Sequence, residues 1–209
     1  MTKRLGVGLL TAGAVVALSA SAPRQGTWST AEAVPWKVDM SHSQVGFTAR
    51  HFFTPVTGTF HEFEVTLEFD PENPENSAVE AKIAVASVDT GRERRDVHLQ
   101  SDDFFDAEVH PEITFRSTSV RSVSDTEFVA TGDLTIKATT VEVDLPITLL
   151  GIMDMPEDMR ERFGSQVASF QAGLKIDRRD FDVGVGSWAE TAIVGADIEI
   201  SITIEASRQ

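Results

Sequence analysis

From Trp36 onward the chain alternates between apolar and polar positions. The clearest stretch is 63–69, where Phe63, Val65, Leu67 and Phe69 fall on one side and Glu64, Thr66 and Glu68 on the other. A period of two marks a strand with one buried face. Val45, Phe47 and Ala49 repeat the pattern, as do Val79, Ala81, Ile83 and Val85, and again Ala168, Phe170, Ala172, Leu174 and Ile176. Ile113 with Phe115, and Phe128 with Ala130, begin two further strands, and 134–136 is a short one. The run 141–149 is long, but Pro146 within it offers no amide hydrogen and predicts a sheet edge or a bulge. The last strand sets Ile198, Ile200, Ile202 and Ile204 against Glu199, Ser201, Thr203 and Glu205.

Turn-forming residues separate these runs: Asp70-Pro71-Glu72-Asn73-Pro74, Ser124-Asp125 and Gly132-Asp133. Only 92–105 and 156–163 read as helical. The expected fold is all-β: an antiparallel sheet of about eight strands with one buried face and one or two short helices. Closing that sheet into a barrel hides its edges, and a two-sheet sandwich is the competing arrangement. A membrane barrel carries girdles of Tyr and Trp and an apolar outer band. This chain has no Tyr and 3 Trp, and one face of most strands is charged, so a soluble barrel fits better.

The N-terminus has a different pattern. Lys3 and Arg4 precede an uncharged run over 5–18, and Ser19-Ala20-Ser21-Ala22 supplies the small residues a signal peptidase reads. Residues 1–22 are therefore expected to be a cleaved signal peptide, with Ala33 marking an alternative later cut. The run is too short and too rich in Gly and Ala for a membrane span of about 20 apolar residues. Residues 23–34 are polar and aperiodic and read as a disordered leader. That leaves 35–209 as one domain, long enough for a sizeable core. The chain has no Cys, which removes a lipoprotein anchor, disulfides and thiolate metal sites.

The formal net charge is −15, from 18 basic and 33 acidic residues. Removal of 1–22 takes away two basic residues and no acidic one, leaving −17. Phosphate backbones and anionic lipid surfaces repel such a chain. Nucleic acid is excluded as a partner and stable membrane insertion is disfavoured.

Signatures of common enzymes are missing: there is no G-x-S-x-G, P-loop, dinucleotide glycine pattern or H-E-x-x-H. His42, His51, His61, His98 and His110 show no ligand spacing, and no metal or catalytic residue is assigned. Ser101 followed by Asp102, Asp103 and Asp106 reads as an N-cap with acids in the first helical turn. Arg92, Arg94 and Arg95 with Glu93 and Asp96 form either a solvated ion-pair cluster or a basic spot for a polar head group. Met153, Met155 and Met159 lie with Phe163 between two strands. Flexible and apolar, they suit either a lid over an apolar ligand or a plug in the barrel end.

Several stretches in order resemble the YceI-like family of periplasmic proteins. They are Trp36-Lys37-Val38-Asp39 with Ser41-His42-Ser43, 47–51, Gly58-Thr59-Phe60, Ser87-Val88-Asp89-Thr90, and Arg95-Asp96-Val97-His98-Leu99 with Ser101. Asp103-Phe104-Phe105-Asp106, His110-Pro111-Glu112-Ile113-Thr114-Phe115 and Gly132-Asp133-Leu134 complete the set. The resemblance runs from about residue 35 to the C-terminus. It implies an extended lipocalin-like antiparallel barrel that binds an isoprenoid lipid, either a polyprenyl chain or a ubiquinone-type quinone. The family's motif residues fall on His51, Asp89, Arg95, His98, Phe104 and Phe105, either as ligand contacts or as residues fixing the loop and helix that close the barrel. The acidic, Met-containing 151–165 segment departs from the family pattern.

The expected ligand-binding residues are Phe47, His51, Phe63, Leu67, Ile83, Arg95, His98, Phe115, Phe128 and Met153, with no other cofactor. Of these, Phe47, Phe63, Leu67, Ile83, Phe115 and Phe128 are placed along a lipid tail by alternation alone. The leading expectation is a non-enzymatic lipid carrier or store. An enzyme acting on an apolar substrate, or an acidic docking partner of a membrane redox complex, are the alternatives. A homodimer is compatible with all three.

Overall fold

The computed structural model describes residues 35–209, so the signal peptide and leader expected over 1–34 lie outside the described residues. Three pairs of strand segments are each one long strand with a kink. β1 (Pro35–Val38) and β2 (Gln44–His51) are joined through a 3-10 turn, Met40–His42. β3 (Thr54–Phe60) and β4 (Phe63–Glu68) are separated by His61 and Glu62, and β5 (Ala78–Ala84) and β6 (Val88–Asp89) by the 3-10 turn Val85–Ser87. After α1 (Glu93–Gln100) come five uninterrupted strands: β7 (Glu112–Ser122), β8 (Glu127–Ile136), β9 (Thr139–Asp154), β10 (Gln166–Asp177) and β11 (Asp197–Arg208). The short α2 (Arg160–Phe163) lies between β9 and β10.

All neighbours pair antiparallel, and β1 closes the ring by pairing with β4 on one side and β11 on the other. The result is a closed barrel of 8 long strands, as the alternation predicts, and not a sandwich. The inner faces of the strands fill one core.

Two bulges decide which side chains face in. An extra residue near Thr118 separates the Ser117–Gly132 and Ser119–Thr131 pairs of β7 and β8. The alternation visible at Ile113 and Phe115 therefore breaks, and resumes inward at Val120. Ser117 falls inside, where its Oγ accepts the Val79 amide at 2.9 Å. Gly132 is in mid-strand rather than in the expected turn. A Cβ there would meet the Arg116 carbonyl oxygen at 2.4 Å, so close approach at the bulge requires glycine.

The second bulge is at Leu150, between the Phe170–Leu149 and Ser169–Gly151 pairs. The β9–β10 ladder then stops at Ile147–Ala172, although both strands continue. Pro146 comes next and has no amide hydrogen to extend it. Beyond this point β9 is an edge facing β10, the edge its proline predicts.

The two barrel ends are closed differently. At the end carrying α2, the Trp36 indole donates to the Phe69 carbonyl at 3.0 Å. The Phe69 ring meets Phe128 and Phe170 edge-on at 5.3 and 5.0 Å. At the opposite end the cover is non-sheet chain: α1, the turns through 101–110, and the 178–196 segment. Arg178 organises that segment while only 3% exposed. Its Nε donates to Gly195 O, Nη1 to Val183 O and Gly184 O, and Nη2 to Trp188 O and Val194 O. All five guanidinium hydrogens are thus used on backbone carbonyls.

Both expected helices are shorter than their patterns. Ser101 caps the C-terminal end of α1 rather than starting a helix, because its Oγ donates to the His98 carbonyl at 2.7 Å. The 156–163 stretch divides into a 3-10 turn and the single turn of α2.

Candidate functional site

Between the two closures lies a cavity of about 160 Å³. Residues from every long strand line it, and among the described residues Glu68 is the one ionisable residue on its border. Along β8 the lining runs from Phe128 to Ile136, which is ~26 Å of strand at ~3.3 Å per residue. The site is a narrow apolar tube.

Five expected lining residues reach it: Phe47, Leu67, Ile83, Phe115 and Phe128. Phe47 stands opposite Gly58, where a Cβ would fall 2.4 Å from the ring, so the bare glycine makes room for the phenyl group. The ring also packs on Phe60 at 5.6 Å. Phe63 is buried but does not line the cavity. It stands next to the His61–Glu62 kink and packs into the core outside the cavity. Phe60, Phe69, Phe170, Ile200, Ile202 and Ile204 do line it. The same inward alternation marks most of them; Phe60 follows from pairing with Val45, which is not readable without the register.

The polar candidates lie elsewhere. His51 is at the exposed end of β2, with its ring edge-on to Phe52 at 4.7 Å. Arg95 donates from Nε to Thr90 Oγ1 at 2.7 Å and from Nη2 to Thr90 O at 2.9 Å. Asp96 accepts the Thr90 amide at 2.9 Å, so these groups tie the β6–α1 turn. His98 meets Asp103 at 3.0 Å and stacks edge-on against Phe104 and Trp188, each at 5.0 Å. The His98 imidazole, followed by the Trp188 indole, holds the Asp103 carboxyl below the usual carboxylate range. Asp89 pairs with His61 at 3.0 Å, and Phe105 packs edge-on against Phe60 at 6.2 Å. Asp89, Arg95 and His98 therefore have their polar groups engaged in the turns and the cover of the barrel, and none of the six family-motif residues lines the cavity.

Met153 is a correction of a different kind. The 151–165 segment is not one loop, because β9 continues to Asp154. The Leu150 bulge shifts the register so that Met153 pairs with Val167 on the outer face, 61% exposed. Met155 is the buried methionine of that segment, and Met159 is exposed.

The structure also joins residues that spacing alone leaves apart. Asp39, His42 and Glu205 place one ligand-type atom each within 4.8 Å of one another. His42 Nδ1 is 2.9 Å from Asp39 and 3.6 Å from Glu205, on the outside of the barrel. The Asp39 hydrogen bond, then the nearby carboxylate charges, raise the His42 pKa.

A closed eight-stranded antiparallel barrel around a slender apolar interior is a lipocalin-like binding architecture. The chain belongs to the YceI-like family, whose domain model matches residues 36–206. Protein YceI of Escherichia coli O157:H7 is 34% identical over 183 residues, covering 86% of this chain and 90% of that protein. Among solved structures, Burkholderia cenocepacia BcnA matches with TM-score 0.73 and 28% identity, over 82% of this chain and all of that one. A Saccharophagus degradans domain described as polyisoprenoid binding and implicated in plant cell wall breakdown shares the fold. Its TM-score is 0.59 and its identity 12%, over 85% of this chain and 100% of that domain. Among the described residues, no helix is long and apolar enough to cross a membrane.

Proposed function

We propose that this protein is exported to the periplasm and holds the tail of an isoprenoid lipid, a polyprenyl chain or a ubiquinone-type quinone, inside the barrel as a carrier or store. The apolar tube carries this reading: it is elongated and lined almost wholly by hydrocarbon side chains. The pattern in 1–22 supports export. The polyisoprenoid-binding description of the Saccharophagus neighbour supports the ligand class through the shared fold. An enzyme in the same pocket would need a titratable group at the ligand, and among the described residues Glu68 is the one such group bordering the cavity.

The energetics favour a carrier. Burying a tail is worth about 0.8 kcal/mol per methylene against water. A lipid taken from a bilayer starts in an equally apolar solvent, so the tail gains little net free energy. Exchange then remains reversible, and selection rests on the length and shape of the tube. The resting cavity is near the size of one that accepts a benzene-scale guest, about 150 Å³. A long tail therefore enters only as lining side chains change rotamer and the tube widens.

The test is mass spectrometry of an organic extract of protein purified from the periplasm of a bacterial host. A stoichiometric isoprenoid quinone or polyprenyl lipid is expected, and its length sizes the occupied tube. Empty protein that also refuses added quinone and polyprenyl lipid would refute the carrier.

A further inference from the structure

A carrier of membrane-resident lipid must meet a bilayer, yet this chain carries 33 acidic residues against 18 basic ones. Its acids are unevenly placed. In residues 50–57 and 183–196, Glu190 is the only carboxylate, and Arg50 is a cation. These two stretches lie side by side. The Phe52 amide donates to Ile193 O at 2.8 Å, the Gly195 amide to Arg50 O at 2.8 Å, and His51 bridges Val194. Of the carboxylates flanking the second stretch, Asp177 and Asp197 are paired with Arg179 and Lys175, Asp182 accepts from the Thr139 hydroxyl at 3.5 Å, and Asp180 lies beside Arg179.

This acid-poor surface is also apolar. Phe53, at the tip of the β2–β3 hairpin, is 91% exposed, Phe52 is 55% exposed and Ile193 39%. The Phe52 ring rests edge-on against His51 at 4.7 Å, and the pair of phenylalanines projects apolar surface from the hairpin tip. A second exposed apolar group, with Leu150, Met153, Met159 and Phe163, shares its segment with the acids Asp154, Glu157, Asp158 and Glu161 against the bases Arg160 and Arg162, a net negative balance. Phospholipid head groups repel that face more strongly.

The Phe53 surface is also at the end where the barrel is weakest. There the cover is non-sheet chain, and there the β9–β10 ladder is broken beyond Ile147 and Ala172. We propose that the hairpin tip Phe52–Phe53, with Ile193, docks this end of the barrel on a phospholipid bilayer, so that lipid enters beneath the 178–196 cover. The inference rests on the carrier reading and adds the route of exchange.

The chain contains no cysteine, so a single introduced one reports one place. Full-length protein is made with Thr54→Cys beside the tip, or Val123→Cys at the opposite end, each labelled with an environment-sensitive nitrobenzoxadiazole dye. Phosphatidylcholine vesicles are then added. A blue shift at position 54 and none at 123 is expected, and adding Phe53→Ser should weaken the vesicle dependence roughly tenfold or more. No shift at 54, equal shifts at both sites, or a shift at 54 that follows protein concentration without vesicles overturns the proposal. The last result would identify a second copy as the occupant. Loading of ubiquinone from dilute ethanol separates the two readings. Phe53→Ser that loads normally but fails to dock supports docking; wild type that docks but never loads refutes the carrier alone.

Discussion

Ile83 stands directly opposite Phe63 in the β4–β5 ladder, yet only Ile83 lines the cavity. The pair is the last before the His61–Glu62 kink, so it stands at the boundary between tube and core. Replacing Ile83 with Trp should fill the tube and spare the fold, because the added ring enters existing space. Binding of a long-tailed quinone should fall at least tenfold while a short-tailed analogue is less affected, measured by quenching of protein fluorescence. Long-tail binding at the wild-type level would show that Ile83 does not line the occupied tube.

Arg178 donates to five backbone carbonyls of the cover segment. Arg178→Met should leave them without that donor, those of Val183 and Gly184 fully buried, costing on the order of 3 kcal/mol. For a domain of this size that lowers Tm by roughly 6–12 °C in calorimetry. Arg178→Lys keeps the charge but loses the planar fork, and should recover only part of the loss.

Gly132 is constrained by space and not by backbone angle. Gly132→Ala places a methyl group 2.4 Å from the Arg116 carbonyl oxygen, which cannot swing away as a side chain would. A loss of about 1–3 kcal/mol is expected in urea unfolding. An unchanged midpoint would mean that β7 relaxes at the Thr118 bulge without cost.

His42 should make stability depend on pH. Its pKa is raised in the folded state by Asp39 and Glu205. Its contribution is therefore fully present below the unfolded value of about 6.5 and disappears as pH rises through the higher folded value. The Tm difference between wild type and His42→Gln should be largest in mild acid and vanish in alkali. The effect should also shrink with salt, since the group is exposed. A difference independent of pH would assign His42 a packing role.

Acid should loosen the turn after β10. The Arg179 guanidinium lowers the Asp177 carboxyl pKa to about 2. Its stabilisation is present above about 3.8 and is lost as pH falls toward 2. Asp177→Asn should abolish that part of the acid transition, read by amide exchange over 178–182.

Strand positions, the single buried face and the apolar lining were legible because side-chain direction in a strand depends only on parity. Phe47, Leu67, Ile83, Phe115 and Phe128 follow from that rule. The rule fails wherever one residue is inserted. Bulges at Thr118 and Leu150 invert parity, turning Val120 inward and Met153 outward, and nothing local to those residues announces the insertion. Gly132 looked like a turn because a glycine's purpose depends on which backbone lies across from it.

Charge, the absence of cysteine and the barrel's alternation are properties of the chain itself. Ring closure through β1 and the approach of Glu205 to the Asp39–His42 pair are not. They join residues whose separation in sequence carries no information about distance, and only the register of the closed sheet brings them together.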